Sequence, residues 1–163
     1  MNSTEILIKV RKIVRAINLE SKKIQKEYGV SIPQVLCLNY LKESENYQST
    51  QGEIKKFLNL NSSTISGIIN RLESKGLLAR LPKSGDKRMV NIALTTKGDK
   101  ILENIPPLLH EQLSRNLEYL DVNMIRQVEG ALDKVIELLD IVEIEASPVL
   151  TSEESLDENP AEE

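Results

Sequence analysis

Apolar residues recur every three or four positions over the first 28 residues, and this spacing predicts a long amphipathic helix over 4–28. The stripe is formed by Ile6, Val10, Ile13, Ile17, Ile24 and Tyr28. Gly29 is expected to end this helix, because glycine adopts the left-handed conformation of a C-cap at no steric cost. Ser31 predicts the start of a second helix over 32–44, since its hydroxyl can cap the first turn and Pro33 is tolerated there.

Two shorter helical segments follow a polar loop over 45–49. Either Ser49 or Thr50 can cap the first of them. Its apolar residues are Ile54, Phe57 and Leu58. A turn over 59–61 separates it from a second helix over about 62–75. Two short helices joined by a tight turn predict a helix-turn-helix.

The apolar period then changes from three or four to two, which is typical of β-strands. Residues 77–81 predict one strand, and the alternation of Val90, Ile92 and Leu94 predicts a second. The connection over 82–88 is rich in proline, glycine and charge. A β-hairpin placed directly after a helix-turn-helix is the arrangement called a wing.

The remainder of the chain returns to a helical pattern. Thr95 or Thr96 is expected to begin a helix that Pro106 and Pro107 interrupt. The helical pattern resumes over 108–119, and Asp121 can cap a last helix with heptad-like spacing. The apolar residues of that last helix are Ile125, Val128, Leu132, Val135, Leu139 and Val142.

The net charge of −4 averages segments of opposite sign. Residues 145–163 carry seven acidic residues and no lysine or arginine, whereas residues 54–100 carry a net charge of +7. A basic middle predicts a polyanionic partner, and the acidic, apolar-poor segment from residue 146 onward predicts disorder.

The helix over 62–75 has sides of unequal size. Large aliphatic side chains occupy one side, and the opposite side carries small polar residues: Ser63, Gly67, Asn70 and Ser74, with Ser66 and Arg71 at the flanks. A helix that enters the major groove needs an outer face short enough to approach base edges, with hydroxyl or amide groups that pair with them. An ordinary solvated face rich in serine is the alternative, but the neighbouring wing and basic charge favour DNA.

The residues that carry this pattern resemble those of the MarR family, the multiple-antibiotic-resistance type of regulator. The similar segments, which fall in order within residues 1 to about 143, are TQGEI at 50–54, STIS at 63–66, RLESKGL at 71–77, DKR at 86–88 and LTTKG at 94–98. The resemblance implies a homodimeric winged-helix transcriptional regulator that binds a pseudo-palindromic operator in double-stranded DNA, and we expect it to be a repressor.

The expected fold is mainly α with a small β-wing, a winged helix-turn-helix lobe joined to a helical dimerisation region. We expect an N-terminal dimerisation helix over 1–30, the DNA-binding lobe over 31–98 and C-terminal dimerisation helices over 99–144. Residues 145–163 are expected to form a disordered acidic tail.

The resemblance implies that the helix over 62–75 enters the major groove and that the wing tip reaches the minor groove. Arg88 matches the arginine that inserts there, and Asp86 matches the acid that orients it. Many family members carry a long basic residue where this chain has Gly67, so that contact is not carried over. The expected DNA-binding residues are Thr50, Gln51, Ser62, Ser63, Thr64, Ser66, Asn70, Arg71, Arg80, Lys83, Asp86, Lys87 and Arg88.

Family members often bind a small effector between the dimer region and the DNA-binding lobe. The polar and aromatic residues that we expect near this junction are Arg15, Asn18, Tyr28, Tyr40 and His110.

Two alternatives to DNA binding differ in their requirements. A winged helix that assembles with another protein would need an apolar exposed face, and a thiol-based redox sensor would need an exposed Cys37 with a lowered pKa.

His110 is the only histidine, so the chain lacks the residues for a multi-histidine metal site, and a catalytic triad would depend on this one residue. We therefore expect no enzyme activity and no cofactor. The single cysteine and the lack of a signal sequence or apolar membrane span predict a cytoplasmic protein.

Overall fold

In a computed structural model of the protein, residues 2–82 and 90–156 are described. The helices are α1 (Ser3–Tyr28), α2 (Ile32–Glu43), α3 (Gln51–Leu58), α4 (Ser62–Ser74), α5 (Thr96–Asn104), α6 (Leu109–Leu117) and α7 (Val122–Leu138). The strands are β1 (Gln48–Thr50), β2 (Leu78–Pro82) and β3 (Val90–Leu94), and single 3-10 turns cover Glu45–Tyr47 and Glu153–Ser155. No helix of the described residues has the length and apolar content needed to cross a membrane.

Side-chain caps set where most helices begin. Ser31 forms a reciprocal capping box with Gln34 at the start of α2, and Thr50 does the same with Glu53 at the start of α3. Gly29 ends α1 with a positive φ of 68°, as predicted from its lack of a side chain. The helix boundaries predicted from these capping residues therefore lie within a few residues of the observed ones.

Three strands form one antiparallel sheet in the order β1-β3-β2. The predicted hairpin is present, with Leu78 opposite Leu94 and Pro82 opposite Val90. The sequence pattern missed β1, which lies in the segment predicted as a polar loop and pairs Ser49 with Ile92. It was missed because its three residues are polar and their strand partner lies more than 40 positions further along the chain.

The core lies where α2, α3, α4 and the sheet meet. It contains Val35, Leu38 and Leu41 of α2, all with no exposed surface, which confirms the predicted stripe. Ile54, Ile65, Ile69, Leu72 and Ile92 complete its centre. The helix-turn-helix and the wing strands therefore share one hydrophobic core.

Two helices outside this core keep large apolar side chains exposed. On α1 these are Ile6, Leu7, Ile8, Ile13, Val14 and Leu19, and on α7 they include Val128, Leu132, Ile136 and Leu138. No residue of α7 is buried in the single chain. The helix stops at Leu138, so Val142 of the predicted stripe lies beyond its end, after a positive φ at Asp140. Exposed stripes of this kind mark an interaction surface.

The prediction of disorder from residue 146 onward is wrong for residues 146–156. Val149 is only 7% exposed and belongs to the hydrophobic core cluster. The Ser152 amide donates a hydrogen bond to Ser21 Oγ of α1 at 3.0 Å, and the Leu150 amide donates to His110 Nδ1 of α6 at 3.3 Å. Val149 in the core and Leu156 packed against it anchor a segment whose average composition is polar. Residues 157–163 lie outside the described part of the chain.

Candidate nucleic-acid interface

The two sides of α4 have opposite environments. Its aliphatic side is inside the lobe, with Ile65, Ile68, Ile69 and Leu72 buried. The predicted outer face is open: Ser63 and Asn70 are exposed, and Ser66 and Gly67 are half-buried. A protein-assembly face would be apolar, whereas this face presents hydroxyl and amide groups. A side chain added at Gly67 would meet no atom within 4 Å, so this position leaves room for a close partner.

Hydrogen bonds across the turn bring several predicted contact residues together. Gln51 Nε2 of α3 donates to Ser66 Oγ of α4 at 2.9 Å, and Lys55 Nζ donates to Ser62 Oγ at 2.8 Å. Asn61 caps α4 by accepting the Thr64 amide at 2.8 Å. The start of α4 is thus held in a fixed orientation relative to α3.

Thr50 has a structural role at this site. Its hydroxyl accepts the Glu53 amide, and the Glu53 carboxylate accepts the Thr50 amide, both at 3.2 Å. Ser49 also donates to Glu53 at 2.6 Å. The predicted contact residue at the start of α3 is therefore a helix cap, and one lone pair of its hydroxyl is used within the protein.

Arg80 lies on β2 and reaches back to the outer end of α4. Its Nη1 donates to Glu73 Oε1 at 2.7 Å, and its Nη2 donates to Asn70 Oδ1 at 2.6 Å. The Arg80 backbone amide also donates to Glu73 Oε2 at 3.3 Å. This set of three residues, which we call the Arg80 bridge, joins the helix to the first wing strand.

The base of the wing is packed tightly against the start of α5. A Cβ atom on Gly98 would lie 2.1 Å from the Leu77 carbonyl oxygen, so only glycine fits there. Thr95 caps α5 by accepting the Gly98 amide, and its hydroxyl donates to the Gly76 carbonyl at 2.7 Å. The wing strands are therefore fixed at their root. The predicted wing-tip residues Lys83, Asp86, Lys87 and Arg88 lie outside the described residues.

Some basic side chains of the lobe bind backbone carbonyls inside the protein and do not extend from the outer face of α4. Lys75 Nζ donates to the Gly29 carbonyl at 2.5 Å, and Lys97 Nζ donates to the Lys75 carbonyl at 2.8 Å. These two lysines tie the end of α4 to α1 and α5. Arg71 is half-buried at the flank of α4.

A cavity of about 770 Å³ lies on another side of the lobe, between α2, α3 and α6. Its lining residues are Leu36, Asn39, Tyr40, Glu43, Ser44, Phe57, His110, Glu111, Ser114, Arg115, Glu118 and Pro148. The Tyr40 and Phe57 rings stack with centroids 4.6 Å apart. Burial lowers the pKa of His110, and the nearby Glu111 carboxylate opposes this only in part.

The structure divides the five residues expected to line an effector pocket. Tyr40 and His110 line this cavity, whereas Arg15, Asn18 and Tyr28 do not. Arg15 lies on an open patch of α1 with Leu7 and Arg11. The Tyr28 hydroxyl donates to the Asn104 carbonyl at 2.8 Å and so ties α1 to α5. Position along the sequence did not reveal which side of α1 faces the lobe.

Cys37 does not meet the requirements of a thiol sensor. It has no exposed surface, and burial raises the pKa of its thiol to about 12. The thiolate is the form that reacts with oxidants, and it is suppressed near neutral pH. The redox-sensor alternative is therefore contradicted. Among the described residues, no group of three His, Cys, Asp or Glu side chains could hold a metal ion.

Comparison with known proteins agrees with this geometry. The model of the MarR family matches residues 30–90, which run from just after α1 to the first residue of β3. Residues 30–90 form a MarR-family domain. It is 39% identical to the multiple antibiotic resistance protein MarR of Escherichia coli (strain K12) over 72 residues, which are 42% of this chain and 50% of MarR.

Two longer alignments extend the likeness beyond the lobe. The chain is 26% identical to the transcriptional repressor MprA of Escherichia coli (strain K12) over 121 residues, covering 74% of this chain and 69% of MprA. The crystal structure of the S. aureus MepR–DNA complex superimposes with a TM-score of 0.58 at 25% identity, covering 84% of this chain and 98% of MepR. The winged-helix fold of the MarR family is thus shared over most of the chain.

One contributor to the site, Glu73, was not predicted from the sequence, and the hydrogen-bond partner of another, Gln51, was not predicted either. Glu73 was not among the predicted DNA-binding residues, yet it is the acceptor at the centre of the Arg80 bridge. The available signal was an acidic residue in the last turn of a helix followed, after Gly76, by an arginine on the returning strand. Gln51 was predicted as a DNA contact, but its hydrogen bond to Ser66 depends on the relative angle of two helices, which no local pattern encodes.

Proposed function

We propose that this chain is a sequence-specific, double-stranded-DNA-binding transcriptional regulator that acts as a homodimeric repressor under the control of a small effector. The observation that carries the proposal is the outer face of α4, where small hydroxyl and amide groups stand opposite a fully buried aliphatic side. The N-terminal part of such a helix contacts base edges in the major groove. MepR, which shares the fold, was crystallised as a DNA complex, and MprA is named a transcriptional repressor.

The proposed contacts fall into two groups. Ser63, Ser66 and Asn70 face the bases, with Ser62, Thr64 and Arg71 beside them, whereas Lys83, Lys87 and Arg88 of the wing contact the neighbouring backbone and minor groove. A narrow minor groove has an enhanced negative potential, which attracts an arginine side chain. Asp86 orients Arg88, and Thr50 and Gln51 support the start of the reading helix.

The homodimer is proposed to form through residues 4–28 and 108–143. The exposed apolar stripes of α1 and α7 support this, because the small lobe leaves them uncovered. Sedimentation at micromolar concentration should show a dimer, and a folded monomer would contradict it. Substituting Leu132 by Asp, at an exposed position of α7, should produce the monomer, and Glu129→Asp on the same helix is the matched control.

Selection of bound sequences from random duplex DNA tests the function itself. The expected result is a pseudo-palindrome whose half-sites are about 34–36 Å, or one helical turn, apart. Salt titration against the selected site and random duplex then separates sequence reading from charge attraction. Enrichment of no sequence would contradict the proposal.

The effector is proposed to occupy the cavity next to Tyr40, Phe57 and His110. A volume of about 770 Å³ is within the range of small-molecule sites, and α6, which lines this cavity, is part of the proposed dimerisation region. Binding to chromosomal DNA would place the protein in the cytoplasm, and no enzymatic activity is part of the proposal.

A further inference from the structure

The Arg80 bridge determines which way the Asn70 side chain faces. A carboxamide has one accepting end and one donating end, and an arginine guanidinium only donates. Because Arg80 Nη2 lies 2.6 Å from Asn70, the atom on that side is the oxygen. The Asn70 amide nitrogen therefore points away from the bridge.

The bridge also holds Arg80 in place from two directions. Glu73 Oε1 accepts from Nη1 at 2.7 Å, and Glu73 Oε2 accepts from the Arg80 backbone amide at 3.3 Å. A guanidinium with both of its outer nitrogens engaged is anchored to the protein. It lies on β2 at a half-buried position, and two of its five N–H groups are directed to Glu73 and Asn70, so the bridge sets the direction of the guanidinium.

From this geometry we propose that Arg80 is a positioning residue that fixes Asn70 as a hydrogen-bond donor to DNA, which makes α4 prefer guanine at the base pair that faces residue 70. This rests on the proposed function of α4 as the reading helix. It assigns Arg80 a different role from the direct DNA contact expected from the sequence. Glu73 belongs to the same unit, although it lies in the last turn of α4 and carries the charge that DNA repels.

The base preference follows from the hydrogen-bond donors and acceptors that each base presents in the major groove. Guanine presents two acceptors in the major groove, N7 and O6, whereas adenine presents one acceptor and one donor. The usual pairing of asparagine with adenine uses both ends of the carboxamide. With its oxygen directed to Arg80, Asn70 offers donors, and guanine is the base with two acceptors on the same edge.

The experiment compares selected sequences and salt slopes for the parent and for Arg80→Gln, Arg80→Lys, Asn70→Ala and Glu73→Gln. The parent should enrich guanine at one position in each half-site. Arg80→Gln and Asn70→Ala should each reduce that enrichment by about tenfold, within the range of a specific base contact. Glu73→Gln keeps an acceptor for Arg80 Nη1 and should retain the preference for guanine. This variant therefore distinguishes the geometry of the bridge from the effect of removing a charge.

Two further measurements distinguish positioning from phosphate binding. If Arg80 positions Asn70, the double variant Asn70→Ala/Arg80→Gln should bind no worse than Asn70→Ala alone, because the two residues act through one contact. Lys56→Ala, which removes an exposed cation from α3, is the control for charge alone. Thermal unfolding of each variant shows whether the lobe remains folded.

The outcomes separate this proposal from the general one. A parent that enriches no sequence overturns the function of α4. A parent that enriches a site with adenine or no preference opposite Asn70 overturns the proposed donor role. If Arg80→Gln keeps the base preference but lowers the salt slope by about one unit, Arg80 is a phosphate contact and the positioning role is wrong.

Discussion

Glu20 of α1 caps the start of α6, because its carboxylate accepts the Leu109 backbone amide at 2.8 Å from 89 residues away. Leu108, the residue that precedes α6, offers no side-chain cap of its own. The carboxyl is partly withdrawn from water, and this desolvation raises its pKa. The hydrogen bond from Leu109 works in the opposite direction, and Glu111 adds to the rise. Glu20 of α1 thus stabilises the start of α6, although burial disfavours the charged form of its carboxyl.

We predict that Glu20→Gln changes how stability depends on pH. A carboxyl whose pKa is raised in the folded state contributes stability below its ordinary pKa of 4.5, and that contribution is lost as pH rises through the folded value. Gln keeps an acceptor for Leu109 but has no charge, so the stability of Glu20→Gln relative to the parent should increase from pH 4 to pH 7. Urea unfolding at both pH values measures this. Glu20→Ala, which removes the acceptor, should lose about 1 kcal/mol at pH 7, and a Gln variant less stable than the Ala variant would contradict the capping role.

A second prediction concerns the segment after α7. His110 Nδ1 accepts the Leu150 amide, and protonation would convert that acceptor into a donor. Because the pKa of His110 is lowered in the folded state, the stability it contributes is present above the ordinary value of 6.5 and is lost as pH falls through the folded value. Amide exchange at Leu150 should therefore speed up, relative to intrinsic exchange, as pH falls from 7.5 to 5.5.

The surroundings of His110 define the control for this titration. The charged groups that line the cavity with it are Glu43, Glu111, Arg115 and Glu118, and Glu20 holds the adjacent Leu109. His110→Asn keeps an acceptor near the ring nitrogen position and does not titrate in this range. Protection of the Leu150 amide in this variant should be independent of pH. The same pH dependence in His110→Asn would assign the effect to one of the carboxylates.

The packing of residues 146–156 can be tested with a matched pair of substitutions. Val149→Ala removes two buried methyl groups and should cost about 1–2 kcal/mol, given about 0.8 kcal/mol for each buried carbon group. Ile144→Ala removes a larger side chain from the same connection, but Ile144 is 69% exposed, so its effect should be near zero. Chemical unfolding, with protease cleavage of the segment as a second readout, compares the two. Equal effects would show that the segment does not pack as described.

The difference between predicted and observed elements has a physical cause. Caps and left-handed glycines act within four residues, so Ser31, Thr50 and Gly29 could be recognised from the sequence. The missing pieces depend on contacts between distant parts of the chain: β1 on the free edge of β3, Glu20 on the start of α6, and Val149 on the core. The small outer face of α4 was recognisable because it is local. Its hydrogen bonds to Gln51 and Arg80 were not, because they require the positions of a neighbouring helix and strand.

Gly98 provides a fourth prediction. Its missing Cβ would lie 2.1 Å from the Leu77 carbonyl oxygen, so Gly98→Ala must displace backbone and should cost about 2 kcal/mol or more. Gly67 lies within a helix with open space around it, and Gly67→Ala should raise stability by about 0.5–1 kcal/mol through reduced freedom of the unfolded chain. Thermal unfolding of both variants checks the contrast. A tolerated alanine at Gly98 would contradict the tight packing of the wing root.

The last prediction concerns the wing. Arg88→Ala should weaken operator binding by about 1–3 kcal/mol and reduce the salt slope by about one unit, since this residue is proposed to enter the minor groove as a permanent cation. Asp86→Ala should produce a milder form of the same defect. Lys83→Ala should lower the slope similarly with less effect on sequence preference. Salt titrations against operator and random duplex measure all three, and parent-like binding of Arg88→Ala to both would show that the wing does not read DNA.

The burial of Cys37 makes the chain convenient for spectroscopy. The protein has a single cysteine, and that thiol has no exposed surface and a pKa of about 12, so maleimide reagents leave it unmodified in the native state. A cysteine introduced at an exposed position such as Lys56 becomes the one reactive handle, with no native residue to remove first. Donor and acceptor dyes placed there on two copies would report the distance between the lobes by energy transfer, before and after DNA is added.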